Sequence, residues 1–201
     1  LVDLALAELR EGRPARKADI PENRARDWKN LQLITSKPVI YVCNVEEDSA
    51  ESGNSLSAKV AEKAAAENAE AVVISARIEE ELAQLDDAER LEYLETLGLA
   101  EPGLNRLIRQ GYGLLDLITY FTAGPKESRA WTVKRGTAAP QAAGVIHTDF
   151  ERGFIKAETI AYADYTELNG EAGARDAGRL RQESKDYVVK DGDVMLFRFN
   201  V

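Results

Sequence analysis

Cysteine and histidine are nearly missing from this chain: its 201 residues hold one of each, Cys43 and His147. A single cysteine excludes an internal disulfide and a thiolate metal cage, and it fits a reducing cytoplasm. A single histidine excludes a His-rich zinc site and any mechanism that needs two catalytic imidazoles. Long apolar runs are also missing. No stretch of about 18 apolar residues occurs, and the amino terminus shows no charged n-region followed by an apolar h-region and a small-residue cleavage site. The expectation is a soluble, unsecreted, cytoplasmic protein with no membrane partner. Positive charge is in deficit as well: the formal charge is −9, and it is unevenly spread. Residues 1–36 hold 7 basic and 6 acidic side chains, residues 37–115 hold 7 and 16, and residues 116–201 hold 12 and 13. Such acidity argues against indiscriminate nucleic-acid binding, although a local basic face can still meet phosphate.

What is present is ordinary globular material. Hydrophobic residues make up 44% of the chain, enough to bury a core in one or two domains. "LVDLALAELRE" repeats apolar residues at helical spacing and stops at Gly12 and Pro14. "PENRARDWKNLQLI" continues a stripe through Trp28 and Leu31 after Pro21, so a pair of antiparallel helices is the economical expectation. From Lys37 the pattern changes to short β-branched runs, "PVIYVC" and "AVVIS", with "SLSAKVAEKAAAEN" between them as a helix capped by Asn54 or Ser55. Strand, helix and strand at this length predict a parallel βαβ unit, its first strand buried on both faces from Val39 to Cys43. Helices are expected in "DDAERLEYLETLG" and "PGLNRLIRQG". After about Leu115 the texture becomes strand and turn. A hairpin turns at Gly124 and Pro125, a short helix opens at Pro140, "FIKAETIAYADY" forms a strand, and "DYVVKDGDVMLFRFNV" is expected to end in two strands turning at Asp191 and Gly192. Hairpin, helix, strand and hairpin predict a β-grasp-like mixed sheet with one packed helix.

The first strand ends in "NVEE" and the second in "SAR". In an open α/β sheet the ligand crevice lies beyond the carboxyl ends of the strands. Asn44 can offer donor and acceptor to a purine edge there, Glu47 can accept from an amino group, and the backbone of Ser75 and Ala76 can face the same base. The blander reading is that Asn44 satisfies turn backbone. Spacing alone leaves both open, since N-x-x-E is a short pattern.

A resemblance adds to these residues. "NVEE" followed by "SAR" resembles the fourth and fifth nucleotide-binding motifs of translation-factor-related P-loop NTPases, in the variant of the Obg-like ATPase, or YchF, family. That family carries N-x-x-E where most GTPases carry N-K-x-D. The likeness runs through "LITSKPVIYVCNVEED", "GYGLLDLITYFTAGPKESRAWTVKRGTAAPQAAGVIHTDFERGFIKAETIAY" and "KDYVVKDGDVMLFRFNV". It implies α/β plus α+β architecture in three parts: residues 1–36 as the end of a helical, coiled-coil insertion, 37–115 as the second half of a P-loop NTPase domain, and 116–201 as a β-grasp TGS domain. It also implies a ribosome-associated ATPase that prefers ATP to GTP, with Asn44, Val45, Glu47, Ser75 and Ala76 at the base. ATP, Mg2+ and K+ are the implied substrate and cofactors, and the ribosome or its RNA the implied partner.

Gripping a triphosphate takes a G-x-x-x-x-G-K-[ST] loop, and that string does not occur here. Base contacts do not stabilise charge developing on a transferred phosphoryl group. The expectation is therefore a carboxyl-terminal portion of a longer polypeptide, its partner being the amino-terminal half, with no catalytic residue, metal ligand or hydrolytic activity of its own. The alternative reading is a non-catalytic RNA- or ribosome-binding adaptor with a TGS domain, and a third is an unrelated α/β domain fused to a β-grasp module.

Other residues carry two readings each. Lys126, Arg129, Lys134 and Arg135 surround Trp131 and form a candidate RNA or ribosome contact with a stacking aromatic, against a solvated hairpin with Trp131 in the core. His147 beside Asp149 reads as a cap or turn residue, against a catalyst. The acids of "EEEL" at 79–82 and "DDAE" at 86–89 read as solvated helix termini, against a metal or glycosidase pair.

Overall fold

The computed structural model describes residues 1–200 and resolves the chain into two compact units that divide between Leu114 and Leu115. Among the described residues no helix is long and apolar enough to cross a membrane.

The first unit opens with α1 (Val2–Arg10), as its apolar spacing predicts. The stretch after Pro21 does not form a long partner helix. It breaks into a 3-10 turn at Glu22–Arg24, a six-residue α2 (Ala25–Asn30) and another turn at Ile34–Ser36. Gln32 takes φ +49, a left-handed conformation that interrupts helical continuation. Ala15 N–H donates to Thr35 Oγ1, Arg16 meets Glu67 at 2.5 Å and ties residues 1–36 to the end of the next helix, and Tyr41 donates to the same carboxylate at 2.8 Å. The Tyr41 hydroxyl, and Arg16 after it, hold the Glu67 carboxyl below its ordinary pKa.

The βαβ unit follows. β1 (Ile40–Asn44) and β2 (Glu70–Ile74) pair in parallel with Asn44 opposite Ile74, joined by α3 (Ser55–Ala66). Two local features set the start of α3. Asn54 Oδ1 accepts from the Leu56 and Ser57 amides at 3.0 Å while Ser57 Oγ accepts from Asn54 N–H at 2.8 Å, a capping box. Gly53 sits at φ +77, where a Cβ would stand 2.5 Å from Ser57 Oγ, so both backbone and cap require glycine. Contrary to the sequence expectation, β1 is not buried on both faces. Val42 remains 46% exposed, in a sheet that has two strands in this unit.

Beyond β2 the chain turns straight into α4 (Ala76–Leu82), then α5 (Asp87–Thr96) and α6 (Gly103–Leu114). Ile78 and Leu82 of α4 pack with Ala50, Leu94 and Leu99, and burying each such side chain contributes roughly 2 kcal/mol. Asp86 caps α5 in a second capping box with Glu89, so these acids terminate a helix as expected. The acids of α4 do more than face water. Glu79 accepts from the Gly103 amide at 2.7 Å, tying α4 to the start of α6, and Glu81 accepts from the Tyr93 hydroxyl.

The second unit is a five-stranded mixed sheet ordered β4-β3-β7-β5-β6, formed by β3 (Leu117–Ala123), β4 (Ser128–Lys134), β5 (Phe154–Ala161), β6 (Arg181–Glu183) and β7 (Asp193–Phe199). β3 and β4 form the expected hairpin, and β7 lies parallel to β3 and antiparallel to β5. α7 (Ala139–Ile146) presents Ala139, Ala142 and Ala143, all fully buried, and these small side chains let it approach Ile118, Tyr120, Met195 and Phe197 closely. Tyr120 is fully buried and donates to the Ala142 carbonyl at 2.8 Å, and burial pushes its phenol well above the ordinary range. α8 (Thr148–Arg152) follows at once, with His147 Nδ1 accepting from the Asp149 amide, so the one histidine is a cap. The strand expected through Tyr165 ends at Ala161, and Tyr162–Glu167 forms α9, followed by α10 (Glu171–Asp176).

The expected final pair of strands is also corrected. Residues 187–190 make only one bridge, Ala138 to Val188, with the Tyr187 carbonyl accepting from Ala139 N–H and Val189 N–H donating to the Thr137 carbonyl. Asp193, 3% exposed, accepts from the Tyr187 hydroxyl at 2.8 Å and the Lys190 amide at 2.9 Å, with Arg181 3.6 Å away. Asp191 accepts from Thr119 N–H at 2.8 Å and Gly192 N–H donates to the Thr119 carbonyl, so the turn anchors to β3 instead of closing a hairpin.

Candidate nucleotide-base site

Parallel pairing of β1 with β2 brings both strand ends to one edge of the first unit, and the candidate base residues gather there. The Val45 amide extends the ladder by one bond to the Ile74 carbonyl at 2.9 Å, and the Val45 side chain is buried. Asn44 Oδ1 accepts from the Ala76 amide at 2.9 Å, joining residues 32 apart in sequence. The bland and functional readings of Asn44 thus coexist. One lone pair of its oxygen satisfies backbone, and its NH2 group remains a pair of donors suited to a purine nitrogen. Ser75 is 3% exposed, and its hydroxyl has no hydrogen-bond partner.

Glu47 opens the 3-10 turn Glu47–Ser49, and its carboxylate is already engaged: Arg77 Nε lies 2.7 Å from Glu47 Oε1. Arg77 also faces Glu81 at 3.7 Å, and Tyr93 holds Glu81 in turn. Accepting from the phenol, Glu81 raises the pKa of Tyr93. Sequence reasoning placed Arg77 in the "SAR" motif without giving it a role. A usable signal was that it is the one basic residue between Lys63 and Arg90, amid many acids. Arg77 is 72% and Glu47 37% exposed in their side chains, so this pair adds only about 0–1 kcal/mol to stability. Its effect is to orient a carboxylate.

Lys126, Arg129, Lys134 and Arg135 are spread over the turn, both faces and the end of the β3–β4 hairpin. Arg129, Trp131 and Val133 share a face of β4, since Val133 is buried opposite Ile118 and Trp131 packs beside Tyr120. Lys134 falls on the other face. Arg135 is 3.2 Å from Asp116, and Lys126 lies in the turn. The Trp131 indole donates to Thr122 Oγ1 at 2.9 Å and carries the Arg129 guanidinium 4.2 Å above its ring, so its exposed side is already covered by a cation.

Comparison with known proteins finds relatives along nearly the whole chain. Residues 117–200 match the YchF-GTPase C-terminal family model, described as "Protein of unknown function (DUF933)". The chain is 52% identical to the ribosome-binding ATPase YchF of Bacillus subtilis over 202 residues, covering 98% of this chain and 55% of that protein. It is 40% identical to Obg-like ATPase 1 of Pongo abelii over 185 residues, covering 87% of this chain and 46% of that protein. The solved structure of the Schizosaccharomyces pombe YchF GTPase superposes with a TM-score of 0.80 at 35% identity, covering 94% of this chain and 50% of that one. The chain thus spans about half the length of the curated relatives it matches. Long matches at this identity, a shared mixed α/β fold and the family's own C-terminal model on the second unit show that the chain matches the YchF/Obg-like ATPase family along nearly its whole length.

Proposed function

We propose that the first unit supplies purine recognition to a ribosome-associated ATPase that prefers ATP to GTP, and that the second unit is its TGS module. In this reading residues 1–36 end a helical insertion, 37–115 are the later part of the nucleotide-binding domain, and 116–201 form the β-grasp domain. The observation that carries the reading is the 2.9 Å bond from the Ala76 amide to Asn44 Oδ1, which holds two strand-end loops together and leaves the carboxamide NH2 for a base. Asn44, Val45, Glu47, Ser75 and Ala76 recognise the base, and the phosphate-gripping residues lie outside residues 1–201. Hydrolysis by residues 1–201 alone is accordingly not expected. The Mg2+ and K+ implied by the resemblance find no fit in this chain: the G-x-x-x-x-G-K-[ST] loop does not occur in it, and among the described residues no group of three or more His, Cys, Asp or Glu is placed to hold a metal. The second reading, a non-catalytic ribosome or RNA adaptor, would use Lys126, Arg129, Lys134 and Arg135, with the Arg129 guanidinium 4.2 Å over the Trp131 ring.

Asn44→Asp tests the first reading, because it keeps the acceptor for Ala76 N–H and removes the donors. Titration of ATP into the protein as expressed from its gene should show affinity reduced about 10-fold, the equivalent of losing one hydrogen bond of about 1.4 kcal/mol. Unchanged affinity would reject the base site. Charge reversal at the four basic positions, read by co-sedimentation with ribosomes, separates the adaptor reading: binding lost with ATP affinity intact assigns these residues to the partner surface, and retained binding removes them from it.

A further inference from the structure

In the base-site reading just given, a carboxylate at position 47 stands near the purine edge, yet in the structure it does not stand alone. We infer that Arg77 is a specificity-determining residue of this site: paired with Glu47, it converts a two-acceptor edge into an acceptor–donor edge that fits adenine and rejects guanine. The inference rests on the proposed placement of the base beside Asn44.

The chemistry follows from the two purine edges. Guanine presents N1–H and the N2 amino group side by side, two donors that a carboxylate with both oxygens free can accept together. Adenine presents an N6 amino donor beside the N1 acceptor, so it wants one acceptor and one donor. Arg77 Nε lies 2.7 Å from Glu47 Oε1, which commits one oxygen to a charge-assisted bond. The other oxygen remains for N6, and the guanidinium keeps further N–H groups for N1. Guanine brought to the same place would set its donors against the donors of Arg77. That mismatch, unlike a missing methylene, leaves polar groups facing like polar groups, and such sites discriminate strongly.

Arg77 is also held in place. Glu81 lies 3.7 Å from the same Nε, and Tyr93 of α5 donates to Glu81, so the guanidinium meets two carboxylates of which one is itself anchored. Since an ion pair this exposed contributes little to folding, replacing Arg77 should leave the unit intact and expose only the change in selectivity.

The test measures affinities of adenylyl- and guanylyl-imidodiphosphate by calorimetry, using the protein as expressed from its gene, for the parent, Arg77→Ala, Arg77→Lys and Asn44→Asp. The expected result is an adenine preference in the parent whose ratio falls about 10-fold or more in Arg77→Ala, through weaker adenine and tighter guanine binding. Arg77→Lys keeps a charge near Glu47 without the planar set of N–H groups, and should fall between the two. A parent that prefers guanine, or a ratio unchanged in both Arg77 variants, overturns the role of Arg77. If Asn44→Asp leaves both affinities unchanged, the underlying base site is wrong instead. If Asn44→Asp weakens both while the Arg77 variants keep the parent ratio, the site stands and only the specificity role fails.

Discussion

Replacing Asp193 should damage the second unit more than any single exposed charge could. The carboxylate is 3% exposed and accepts from the Tyr187 hydroxyl at 2.8 Å and the Lys190 amide at 2.9 Å, both on Oδ2, while Arg181 lies 3.6 Å from Oδ1. Hydrogen bonds to a charged group contribute roughly 1.5–3 kcal/mol each, so losing two in Asp193→Ala should cost about 3–6 kcal/mol. The Arg181 pair adds little, since that side chain is 42% exposed and regains water when freed. For a unit of this size each kcal/mol moves the melting midpoint by roughly 4–8 °C, so a drop of at least about 12 °C is expected. Urea denaturation in a Trp28→Phe background, where Trp131 is the remaining tryptophan, reads the second unit directly. Tyr187→Phe removes one of the two bonds, and a double-mutant cycle should return a coupling of about 1–2 kcal/mol. Burial first, and the Asp193 bond second, push the Tyr187 phenol up to about 12. The folded state therefore keeps a proton that the unfolded chain releases near pH 10. This contribution is complete below pH 10 and is lost as pH rises through about 12, a loss that Tyr187→Phe should make shallower. Destabilisation of Asp193→Ala by less than about 1 kcal/mol, or zero coupling with Tyr187, would refute the reasoning.

Two further outcomes follow from features of each unit. The Tyr41 hydroxyl and the Arg16 cation hold Glu67 below its ordinary pKa of 4.5, so their contribution is present above that value and disappears as pH falls below it. Urea midpoints collected through the acid range should decline more steeply for the parent than for Glu67→Gln, and parallel curves would contradict this. Gly153→Ala should destabilise by about 1–3 kcal/mol, because its Cβ would stand 2.1 Å from the Asn200 carbonyl oxygen; Gly113→Ala, with nothing within 4 Å, should be neutral or stabilising, and equal melting points for the two would be wrong.

The sequence made the βαβ unit legible because its signals are local. β-branched runs mark β1 and β2, and Asn54 caps the helix between them with partners two and three residues away. The β3–β4 hairpin was readable for the same reason. "SARIEEEL" hid α4, since its apolar residues are few and its acids look like a solvated end, although Glu79 and Glu81 are tied to Gly103 and Tyr93. "DYVVK" looks like a strand by composition, but its Tyr187 carbonyl and Val189 N–H pair with residues 137–139, and a buried carboxylate three residues beyond Lys190 takes the Tyr187 hydroxyl and the Lys190 amide, of which composition carries no trace. The strand ends that bear Asn44 and Ala76 could be placed by topology. The pairing of Glu47 with Arg77 could not, because it spans 30 positions between exposed side chains and depends on the path of two loops. Arg129 and Lys134 fall on opposite faces of β4 by the alternation of the strand, which their spacing in sequence already implies.

The order of strands in the second unit has a bearing on how it is made. β7 sits at the middle of the sheet yet follows every one of its neighbours in sequence. As the chain emerges from synthesis, the β3–β4 hairpin and the β5–β6 pair must wait as separate ribbons, each with an open flank, until the seventh strand arrives to zip them together. Closure of this sheet is thus a late, long-range event, and the nascent protein passes through a stage at which its most pairing-prone edges face outward.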